Sequence, residues 1–428
     1  MKLLLIGSGA REHALAWAIS ASPLLNRLWI APGNAGTSHY GQNVTLDLDD
    51  FSSINAFAKK HQIDLVVIGP EAPLEKGLGD FLRNHHIKCF GPNKKPASLE
   101  SSKSYLKSLA TQYDIATAPW QVFDDAKKAH LYVEQTGAPI VIKADGLAAG
   151  KGVIIADHLD VAHEAIDNMM VKKYFGSSGD QIVIEKKLEG FEVSFFALCD
   201  GKTAIPFSTA QDYKRAYDQD LGPNTGGMGA FSPALIDADM HHQIDQKILQ
   251  PLFHGFNAQN PNDPFIGVMF LGLMITLDGP QLIECNVRFG DPECQALMMR
   301  LQTDLLSAIM ATVEGTLDHF SVKFSEQKSV NIVMAHKDYP NKVDQSGPIR
   351  GLDQFKSHRE LQIFQAGTYV DKQNRLYADG GRVLSITALG KDLKAARETA
   401  LQAIQKIDYP QGFFRRDIAL NLSPIKHK

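Results

Sequence analysis

The chain has 428 residues, of which 44% are hydrophobic and 21% are charged, as is typical of a folded globular protein with a sizeable core. Lys and Arg total 44 against 48 Asp and Glu, so the formal net charge is −4. A dedicated nucleic-acid-binding protein is usually basic, and that class is therefore disfavoured. This length predicts about three domains.

The cysteines and the N-terminus bear on cellular location. The four cysteines show no metal-ligand spacing, so we expect reduced thiols in a cytoplasmic protein. The N-terminal apolar run is interrupted at Gly7 and soon followed by Arg11, which makes it too short for a signal peptide. No stretch approaches the roughly 18 apolar residues of a membrane span. We therefore predict a cytoplasmic protein that binds neither membranes nor nucleic acid.

Residues 1 to about 100 alternate strand and helix signals. The apolar runs KLLLIG, RLWIAPG and IDLVVIGP predict buried parallel strands, with helices at REHALAWAIS and DDFSSINAFAKKHQ; GLGDFLRNHH and IKCFGP repeat the unit. This alternation predicts an open parallel sheet, which binds ligands at the loops after its strands. Those loops span 7–13, 31–37 and 69–77.

A second unit follows a predicted helix at about 97–113. Over about 119–190 the pattern predicts strand, helix, strand, a glycine-rich loop, strand, helix (about 158–175) and strand. The glycine-rich loop is part of IVIKADGLAAGKGVIIA, at 140–156.

The remaining chain is richer in strands. Antiparallel strands are expected from residue 191, and two long strands meet at an Asp278-Gly279 turn. The other predicted features are a glycine-rich segment at 221–233, helices near 238–258 and 292–314, and a final group of strands around one helix at 392–407.

The loop at 140–156 is built to approach an anion. It contains Gly146, Gly150 and Gly152, which let backbone N–H groups come close to a ligand, and the cations Lys143 and Lys151. It is not a Walker A loop, because no Ser or Thr follows Lys151 and the glycine spacing differs. The sequence predicts a phosphate-binding loop of another type.

The first loop has only part of a dinucleotide-binding fingerprint. Gly7 and Gly9 match two of its three glycines, but the third is absent and the second strand lacks an acid for a ribose hydroxyl. An NAD-dependent oxidoreductase is therefore disfavoured. Two interpretations stay open: a small anion held at a helix N-terminus with Arg11 as its partner, or a plain tight turn.

The stretch LIECNVRFGDPE places polar side chains on one face of a predicted strand. Glu284, Asn286 and Arg288 alternate with apolar residues, so they should point to the same side. Glu284 and Asn286 offer the hard oxygen ligands that Mg²⁺ prefers, and Arg288 can bind a carboxylate or phosphate. The alternative is a solvated strand face.

Two further stretches carry weaker signals. VIEKKLEGFEVS, with Glu185 and Glu192, is either a nucleotide-binding linker or an exposed strand edge. The segment that begins QDYKR, with Asp212 and Lys214, leads into a loop with four glycines, which is either functional or a long surface loop. The histidines show no zinc spacing, and no nucleophile elbow is present.

Seven motifs, in order, resemble those of the phosphoribosylamine–glycine ligase (glycinamide ribonucleotide synthetase) family of ATP-grasp enzymes, and the resemblance covers essentially the whole chain. They are GSGAREHALAW, APGNAGT, GPEAPL, IVIKADGLAAGKGV, QDYKR, GPNTGGMGAFSP and NVRFGDPE. The resemblance implies an α/β fold in three parts: an N-terminal Rossmann-like domain (1–102), an ATP-grasp domain (103–318) whose small mobile subdomain spans about 119–190, and a C-terminal α+β domain (319–428).

The resemblance also implies an activity. ATP, glycine and 5-phosphoribosylamine would give glycinamide ribonucleotide, ADP and phosphate through a glycyl phosphate, with Mg²⁺ or Mn²⁺. This is the second step of de novo purine (IMP) biosynthesis. The implied partners are small molecules only, and the expected assembly is a monomer or a weak homodimer.

The resemblance assigns residues to ligands. The implied ATP-binding residues are Lys103, Lys143, Gly146, Gly150, Lys151, Gly152, Glu185, Leu188 and Glu192, and the implied metal ligands are Glu284 and Asn286. The implied substrate-binding residues are Gly9, Arg11, Asn34, Gly36, Thr37, Glu71, Asp212, Lys214, Asn224, Thr225, Gly226, Arg288, Gly290 and Asp291. Of these, Arg288, Asp212 and Lys143 are implied to be catalytic.

The chain departs from the family pattern at three places. Ala10 stands where a glycine is common, and IECNVRF replaces the commoner IEFNCRF with both changes on the non-ligand face. VMAHKDYP, at 333–340, replaces a usually glycine-rich segment. The competing hypotheses are a bicarbonate-using ATP-grasp carboxylase, which APGNAGT and GPEAPL disfavour, and a nucleotide sensor without catalysis, which Glu284, Asn286 and Arg288 disfavour.

Overall fold

A parallel sheet covered by helices forms the N-terminal part of the protein, for which a computed structural model describes residues 1–148, 152–343, 347–355, 358 and 360–420. The strand order is β3-β2-β1-β4-β5, and all four pairs are parallel. The strands are β1 (Lys2–Gly7), β2 (Arg27–Pro32), β3 (Gln42–Asn43), β4 (Leu65–Ile68) and β5 (Cys89–Phe90). The helices are α1 (Ala10–Ser20), α2 (Phe51–His61), α3 (Glu71–Glu75), α4 (Leu78–Asn84) and α5 (Lys94–Ser101).

This sheet confirms the predicted alternation of strands and helices. In β1, Leu4 and Ile6 face one hydrophobic core while Leu3 and Leu5 face another. Both faces of the sheet are covered, which is why its strands appear as continuous apolar runs instead of alternating patterns. The loop predicted at 69–77 contains the short helix α3, so it is more ordered than the sequence suggested.

The second unit is a small antiparallel sheet in the order β6-β9-β7-β8. Its elements are α6 (Lys103–Gln112), β6 (Trp120–Phe123), α7 (Ala126–Thr136), β7 (Ile140–Ala144), β8 (Val153–Ala156), α8 (Leu159–Ile166) and β9 (Ile182–Lys186). The helix predicted at 158–175 is shorter in the structure. The α-helical part, α8, ends at Ile166, and one π-helical turn, Asp167–Val171, follows it directly.

A long sheet links the central and C-terminal parts. In the described chain its order is β16-β15-β10-β11-β14-β17-β21-β18, with β22 beside β17. Its central elements are β10 (Phe191–Asp200), β11 (Ala204–Asp212), β12 (Arg215–Tyr217), β13 (Leu221–Asn224), β14 (Gly229–Ser232), α9 (Ala238–Ile244), α10 (Gln250–Gln259), β15 (Ile266–Thr276), β16 (Gly279–Asn286), α11 (Glu293–Arg300) and α12 (Leu305–Glu314). The C-terminal elements are β17 (Lys328–His336), β18 (Leu361–Gln365), β19 (Thr368–Val370), β20 (Leu376–Ala378), β21 (Arg382–Gly390), α13 (Leu393–Ile404) and β22 (Gly412–Phe413).

Two predicted helices are each divided in the structure. The helix expected at 97–113 breaks at Ser102, whose side chain accepts the Tyr105 N–H and caps α6. The helix expected at 292–314 breaks before Asp304, which caps α12 by accepting the Ser307 N–H. Capping residues satisfy the free N–H groups of a new first turn, so each helix can restart in a new direction. Among the helices described, none has the length and apolarity to cross a membrane.

Candidate functional site

Three lysines surround one carboxylate on β16. The carboxylate belongs to Glu284, and the lysines are Lys103 at the start of α6, Lys143 on β7 and Lys214 after β11. Lys214 Nζ lies 3.8 Å from Glu284 Oε1. Burial by itself raises the pKa of Glu284, but Lys214, Lys143 and Lys103 together lower that pKa to about 2. Glu284 is therefore ionised at neutral pH.

The strand geometry gives Glu284 its room. Gly272 lies opposite it on β15, and a Cβ at that position would come within 2.7 Å of Glu284 Cγ. Asn286 is on the same face, as predicted, and hydrogen bonding from its side chain helps to lower the pKa of Glu284. The amide nitrogen is the donor to a carboxylate, so the amide oxygen remains available to a ligand. Cys285 between them is buried.

An excess of acidic groups surrounds Lys214. Its Nζ lies 2.9 Å from Glu192 Oε2, and the half-buried Asp212 ends the neighbouring strand β11. Burial, reinforced by Glu293, Glu192 and Glu284, raises the pKa of Asp212 even though Lys214 opposes the shift. Burial lowers the pKa of Lys214, but Glu192, Asp212 and Glu284 outweigh it and raise that pKa, so a cationic ligand group would also be stabilised here.

The glycine-rich loop between β7 and β8 lies against the start of α6. Lys103 Nζ donates to the carbonyl oxygen of Gly146 at 3.1 Å. A Cβ on Gly146 would come within 2.5 Å of Ser178 Oγ, so a larger residue would not fit without a shift. Gly152 is buried, and Gly150 and Lys151 lie outside the described residues.

The predicted nucleotide linker follows β9. Glu185 is buried on β9, with Lys143 Nζ 2.9 Å from its Oε1. Leu188 is half-buried in the connection to β10, and Glu192 on β10 is 43% exposed. The structure thus brings together the small sheet, the linker and the Glu284 face of β16.

The N-terminus of α1, an expected anion site, is already surrounded by carboxylates. Gly9 N–H donates to Glu12 Oε2 at 2.7 Å, and Arg11 N–H donates to Asp291 Oδ2 at 3.3 Å. The Arg11 side chain is 8% exposed and donates through Nε to Glu12 Oε1 at 2.6 Å. An anion that bound at this helix end would have to displace or share these partners.

Arg288 points towards the N-terminal domain. Its Nε donates to Glu71 Oε2 at 3.0 Å and its Nη2 to Glu100 Oε1 at 2.9 Å. The sequence predicted Arg288 on the Glu284 face. β16 ends at Asn286, two residues before Arg288, and the alternation of half-buried and buried residues continues through Arg288.

The loop at 31–37 uses its polar side chains to hold its own shape. Asn34 Oδ1 accepts from Gly36 N–H at 2.8 Å and from Thr37 N–H at 3.0 Å. Thr37 is fully buried and donates to Asn34 O at 2.9 Å. Asn34 Nδ2 also donates to Gln365 O at 2.7 Å, which joins this loop to β18.

The glycine-rich segment at 221–233 is held from several sides. Asn224 Nδ2 donates to Val153 O at 3.4 Å, and Thr225 Oγ1 donates to Lys214 O at 2.8 Å. Gly226 N–H donates to Tyr339 Oη at 2.8 Å, so the divergent segment at 333–340 contacts the loop.

Asp291 and Gly290 complete this side of the site. Arg382 Nη1 donates to the Asp291 carbonyl at 2.6 Å, and it also lies 3.4 Å from Asp291 Oδ1. A Cβ on Gly290 would come within 2.3 Å of Glu293 Oε2. Three parts of the chain therefore meet at Asp291, since Arg11 binds it as well.

Sequence reasoning missed several residues at the site: Glu100, Lys107, Glu293, Tyr339 and Arg382. A signal existed for Lys107, which follows Lys103 by four positions and lies on the buried side of α6. Tyr339 lies in the segment that the sequence marked as divergent. Local patterns gave no signal for the others.

Known proteins resemble this chain in domain profile, in sequence and in structure. The profiles that match are the phosphoribosylglycinamide synthetase N domain at 1–100, its ATP-grasp (A) domain at 101–294 and its C domain at 329–421. A phosphoribosylamine–glycine ligase of Mesorhizobium japonicum is 49% identical over 98% of this chain and 97% of its own length.

Solved structures agree on the fold. The phosphoribosylamine–glycine ligase of Thermotoga maritima matches with a TM-score of 0.83 and 31% identity, covering 98% of this chain and all (100%) of its own. A biotin carboxylase of Campylobacter jejuni matches with a TM-score of 0.71 at 15% identity, over 98% of this chain and 94% of its own, which shows a shared fold alone. The predicted α/β ATP-grasp fold is confirmed. The chain belongs to the phosphoribosylglycinamide synthetase family, whose members named here are phosphoribosylamine–glycine ligases.

Proposed function

We propose that the protein ligates glycine to 5-phosphoribosylamine at the expense of ATP, giving glycinamide ribonucleotide, ADP and phosphate. This reaction is the second step of de novo purine biosynthesis. The observation that carries the proposal is the cluster in which Lys103, Lys143 and Lys214 meet the ionised Glu284 beside Asp212. This cluster offers cations for phosphates and carboxylates for a metal and an ammonium group.

ATP is proposed to lie between the small sheet and β16. Lys103 and Lys143 would neutralise its phosphates, together with the glycine-rich loop at Gly146 and Gly152. Glu185, Leu188 and Glu192 would contact the base and ribose. Gly150 and Lys151 belong to the same proposal on sequence grounds alone. Phosphoryl transfer depends mainly on positioning and charge neutralisation, which is what these residues provide.

A divalent cation, Mg²⁺ or Mn²⁺, fits the donor set on β16. Glu284 is ionised, Asn286 offers an amide oxygen, and Gly272 leaves space beside them. Among the described residues no group of three or more His, Cys, Asp or Glu side chains converges as a metal site. Two protein ligands suit a cation that is also bound by nucleotide phosphates and water. When bound, the cation would neutralise charge on those phosphates.

Glycine is proposed to bind near Asp212 and Lys214. The acidic surroundings of Lys214 stabilise the glycine ammonium, and Arg288 is assigned to the carboxylate or the transferred group. The glycine carboxylate would attack the γ-phosphate to give glycyl phosphate and ADP. The amine of phosphoribosylamine would then displace phosphate. Enclosure beneath the small subdomain would protect the acyl phosphate from water.

Phosphoribosylamine is proposed to bind between the N-terminal loops and the end of β16. The candidate residues are Gly9, Arg11, Asn34, Gly36, Thr37, Glu71, Asn224, Thr225, Gly226, Gly290 and Asp291. Supporting this placement, Glu71 lies between two arginines: its Oε2 is 3.0 Å from Arg288 Nε and 3.8 Å from Arg11 Nη1. Burial raises the pKa of Glu71, but Arg288 and Arg11 lower it to about 2, so it can accept from sugar hydroxyls.

The remaining assignments stay predictions. We propose a cytoplasmic monomer or weak homodimer that acts on small molecules and binds no nucleic acid. The formal net charge of −4 supports the last point, and the four free, buried cysteines suit a reducing compartment. The domain limits at 102 and 318 are also proposed; β14 and β17 pair across the second limit.

The test is ADP release with Mg²⁺ in the presence of glycine alone, freshly generated phosphoribosylamine alone, and both. We expect ADP and glycinamide ribonucleotide in equal amounts only with both substrates. Measurable ATP binding without turnover in that mixture would contradict the proposal. It would point to another carboxylate or amine substrate, or to a nucleotide sensor.

A further inference from the structure

Lys107 lies at the base of the small subdomain, and its side chain is 1% exposed. Its Nζ donates to Glu185 Oε2 at 2.8 Å and to Thr117 Oγ1 at 2.6 Å. The Thr117 hydroxyl donates in turn to the carbonyl oxygen of Leu282 at 2.6 Å. One buried ammonium group therefore links α6, β9 and, through Thr117, β16.

Glu185 is shared unequally between two lysines. Lys143 Nζ lies 2.9 Å from Glu185 Oε1, but this buried oxygen accepts no well-directed hydrogen bond from the described residues. Lys143 Nζ also donates to Ile283 O, at 3.4 Å. Lys107 is thus the hydrogen-bonded partner of Glu185, and Lys143 attracts it through charge.

Lys107, Lys143 and Glu185 together carry a formal net charge of +1. Burial raises the pKa of Glu185, but Lys143 and Lys107 outweigh it and the pKa is lowered. Burial lowers the pKa of Lys107 to about 8 although Glu185 opposes the shift, so both groups are ionised at neutral pH. If Lys107 were absent, Glu185 would keep only Lys143 as a counter-ion, and a buried charge left short of partners is costly.

We propose that Lys107 is a positioning residue for ATP: it serves as the permanent counter-ion of Glu185, so that Lys143 stays available to the phosphates and Glu185 Oε1 stays available to the nucleotide. The inference rests on the proposed roles of Glu185 and Lys143 in ATP binding. Lys107 itself touches no substrate.

The experiment compares Lys107→Met, Glu185→Gln and the double variant with the control Thr117→Val, which keeps the ion pair. Lys107→Met should raise the KM for ATP about tenfold and leave the KM for glycine within about twofold. Thr117→Val should change the KM for ATP by less than about twofold. The double variant should have the same KM for ATP as Glu185→Gln, since without the Glu185 carboxylate Lys107 has no counter-ion role left to lose.

The outcomes separate this inference from the proposed function. The inference is overturned if Glu185→Gln raises the KM for ATP while Lys107→Met leaves it unchanged. It is also overturned if Lys107→Met changes only the melting temperature. An unchanged KM in Glu185→Gln removes the ATP role of Glu185 and the inference with it. If Lys107→Met does not fold, the double variant decides, because it buries no unpaired charge. A KM about tenfold above that of Glu185→Gln would then overturn the inference.

Discussion

The protonation states of single residues in this site depend on charged neighbours, many of them distant in sequence. Glu284 and Glu185 are both ionised because lysines from other elements lie beside them, and Lys143 serves both. Asp212 lies close to Lys214 and yet has a raised pKa, because burial and further carboxylates outweigh that lysine. The same residue type therefore has different acidity at each position.

Glu284→Gln should reduce ADP formation by roughly 100-fold or more, because it removes the charged oxygen ligand proposed for the cation. The substitution keeps the side-chain shape and the space provided by Gly272, so the melting temperature should change little. Steady-state ADP release and thermal unfolding measure the two effects. ADP release at the wild-type rate would remove the metal assignment.

His13 should make folding stability depend on pH. Burial, assisted by nearby His39, lowers the pKa of His13 to about 3, while its Nδ1 accepts the Gln365 N–H at 2.8 Å. Between pH 3 and about 6.5 the unfolded chain therefore binds the extra proton. This contribution to stability is complete above about pH 6.5 and falls by about 1.4 kcal/mol per pH unit below it.

The variant His13→Asn tests this dependence, since its Oδ1 can accept the same N–H without titrating. Between pH 7 and pH 5 the free energy of unfolding of the wild type should fall by about 2 kcal/mol more than that of His13→Asn. Urea unfolding at the two pH values gives the difference. Equal pH dependence in both proteins would show that His13 does not carry it.

Among the elements, the junction of α6 and β7 bears most directly on the site. The α6 residue Ser104 donates its N–H to Asp145 Oδ1 at 3.1 Å, just after β7, and its hydroxyl donates to Asp145 Oδ2. Lys103 binds the next residue of the loop, Gly146. The break at Ser102 makes this possible, because it begins α6 at the position where its first turn meets the glycine-rich loop.

Ser104→Ala should raise the KM for ATP about fivefold, equivalent to about 1 kcal/mol, because the loop loses one side-chain hydrogen bond to α6. Ser108→Ala is the matched control: it lies one turn later on α6, and within the described part of the chain its hydroxyl bonds to Ser104 O alone. ATP-dependent initial rates measure both KM values. Equal values in the two variants would mean that the contact does not position the loop.

At the scale of the whole molecule, the C-terminal segment fastens the strand end that carries Asp212 and Lys214. Arg415 is 1% exposed and binds Asp220 Oδ1 at 2.8 Å, Asp417 Oδ2 at 2.7 Å and the Arg215 carbonyl at 3.1 Å. Its guanidinium also lies 5.0 Å from the centre of the Tyr213 ring. The distant end of the chain thus supports the proposed glycine site.

Arg415→Met should lower the free energy of unfolding by about 2 kcal/mol, since it removes the hydrogen bonds of a buried guanidinium to the half-buried Asp417, to the exposed Asp220 and to the Arg215 carbonyl. It should also raise the KM for glycine more than the KM for ATP. In the control Arg416→Met, the side chain removed is exposed, and the backbone bond to Asp218 remains. That variant should stay within about 0.5 kcal/mol of wild type.

Urea unfolding and initial rates at varied glycine and ATP give all four values. If Arg415→Met lost stability but changed both KM values equally, the segment would act on folding alone. If Arg416→Met lost as much stability as Arg415→Met, the buried contacts of Arg415 would not be the cause.

Local sequence patterns were enough to predict the N-terminal parallel sheet, the antiparallel strands of the centre and the family. Continuous apolar runs such as residues 3–6 indicate a sheet covered on both faces. The ordered motifs identify the fold. Both signals can be read without a structure because residue type and spacing are local properties of the chain. The order of Glu284, Cys285 and Asn286 was likewise enough to place Glu284 and Asn286 on one face of a strand and Cys285 on the other.

The partners of the charged side chains are known only from the packing of the elements. Arg288, two residues beyond the end of β16, meets Glu71 and Glu100 from the N-terminal part of the chain. The bond from Lys107 to Glu185 crosses 78 positions of sequence. Such pairs depend on how whole elements pack, and electrostatic free energy depends on the resulting distances and burial, neither of which a local pattern contains.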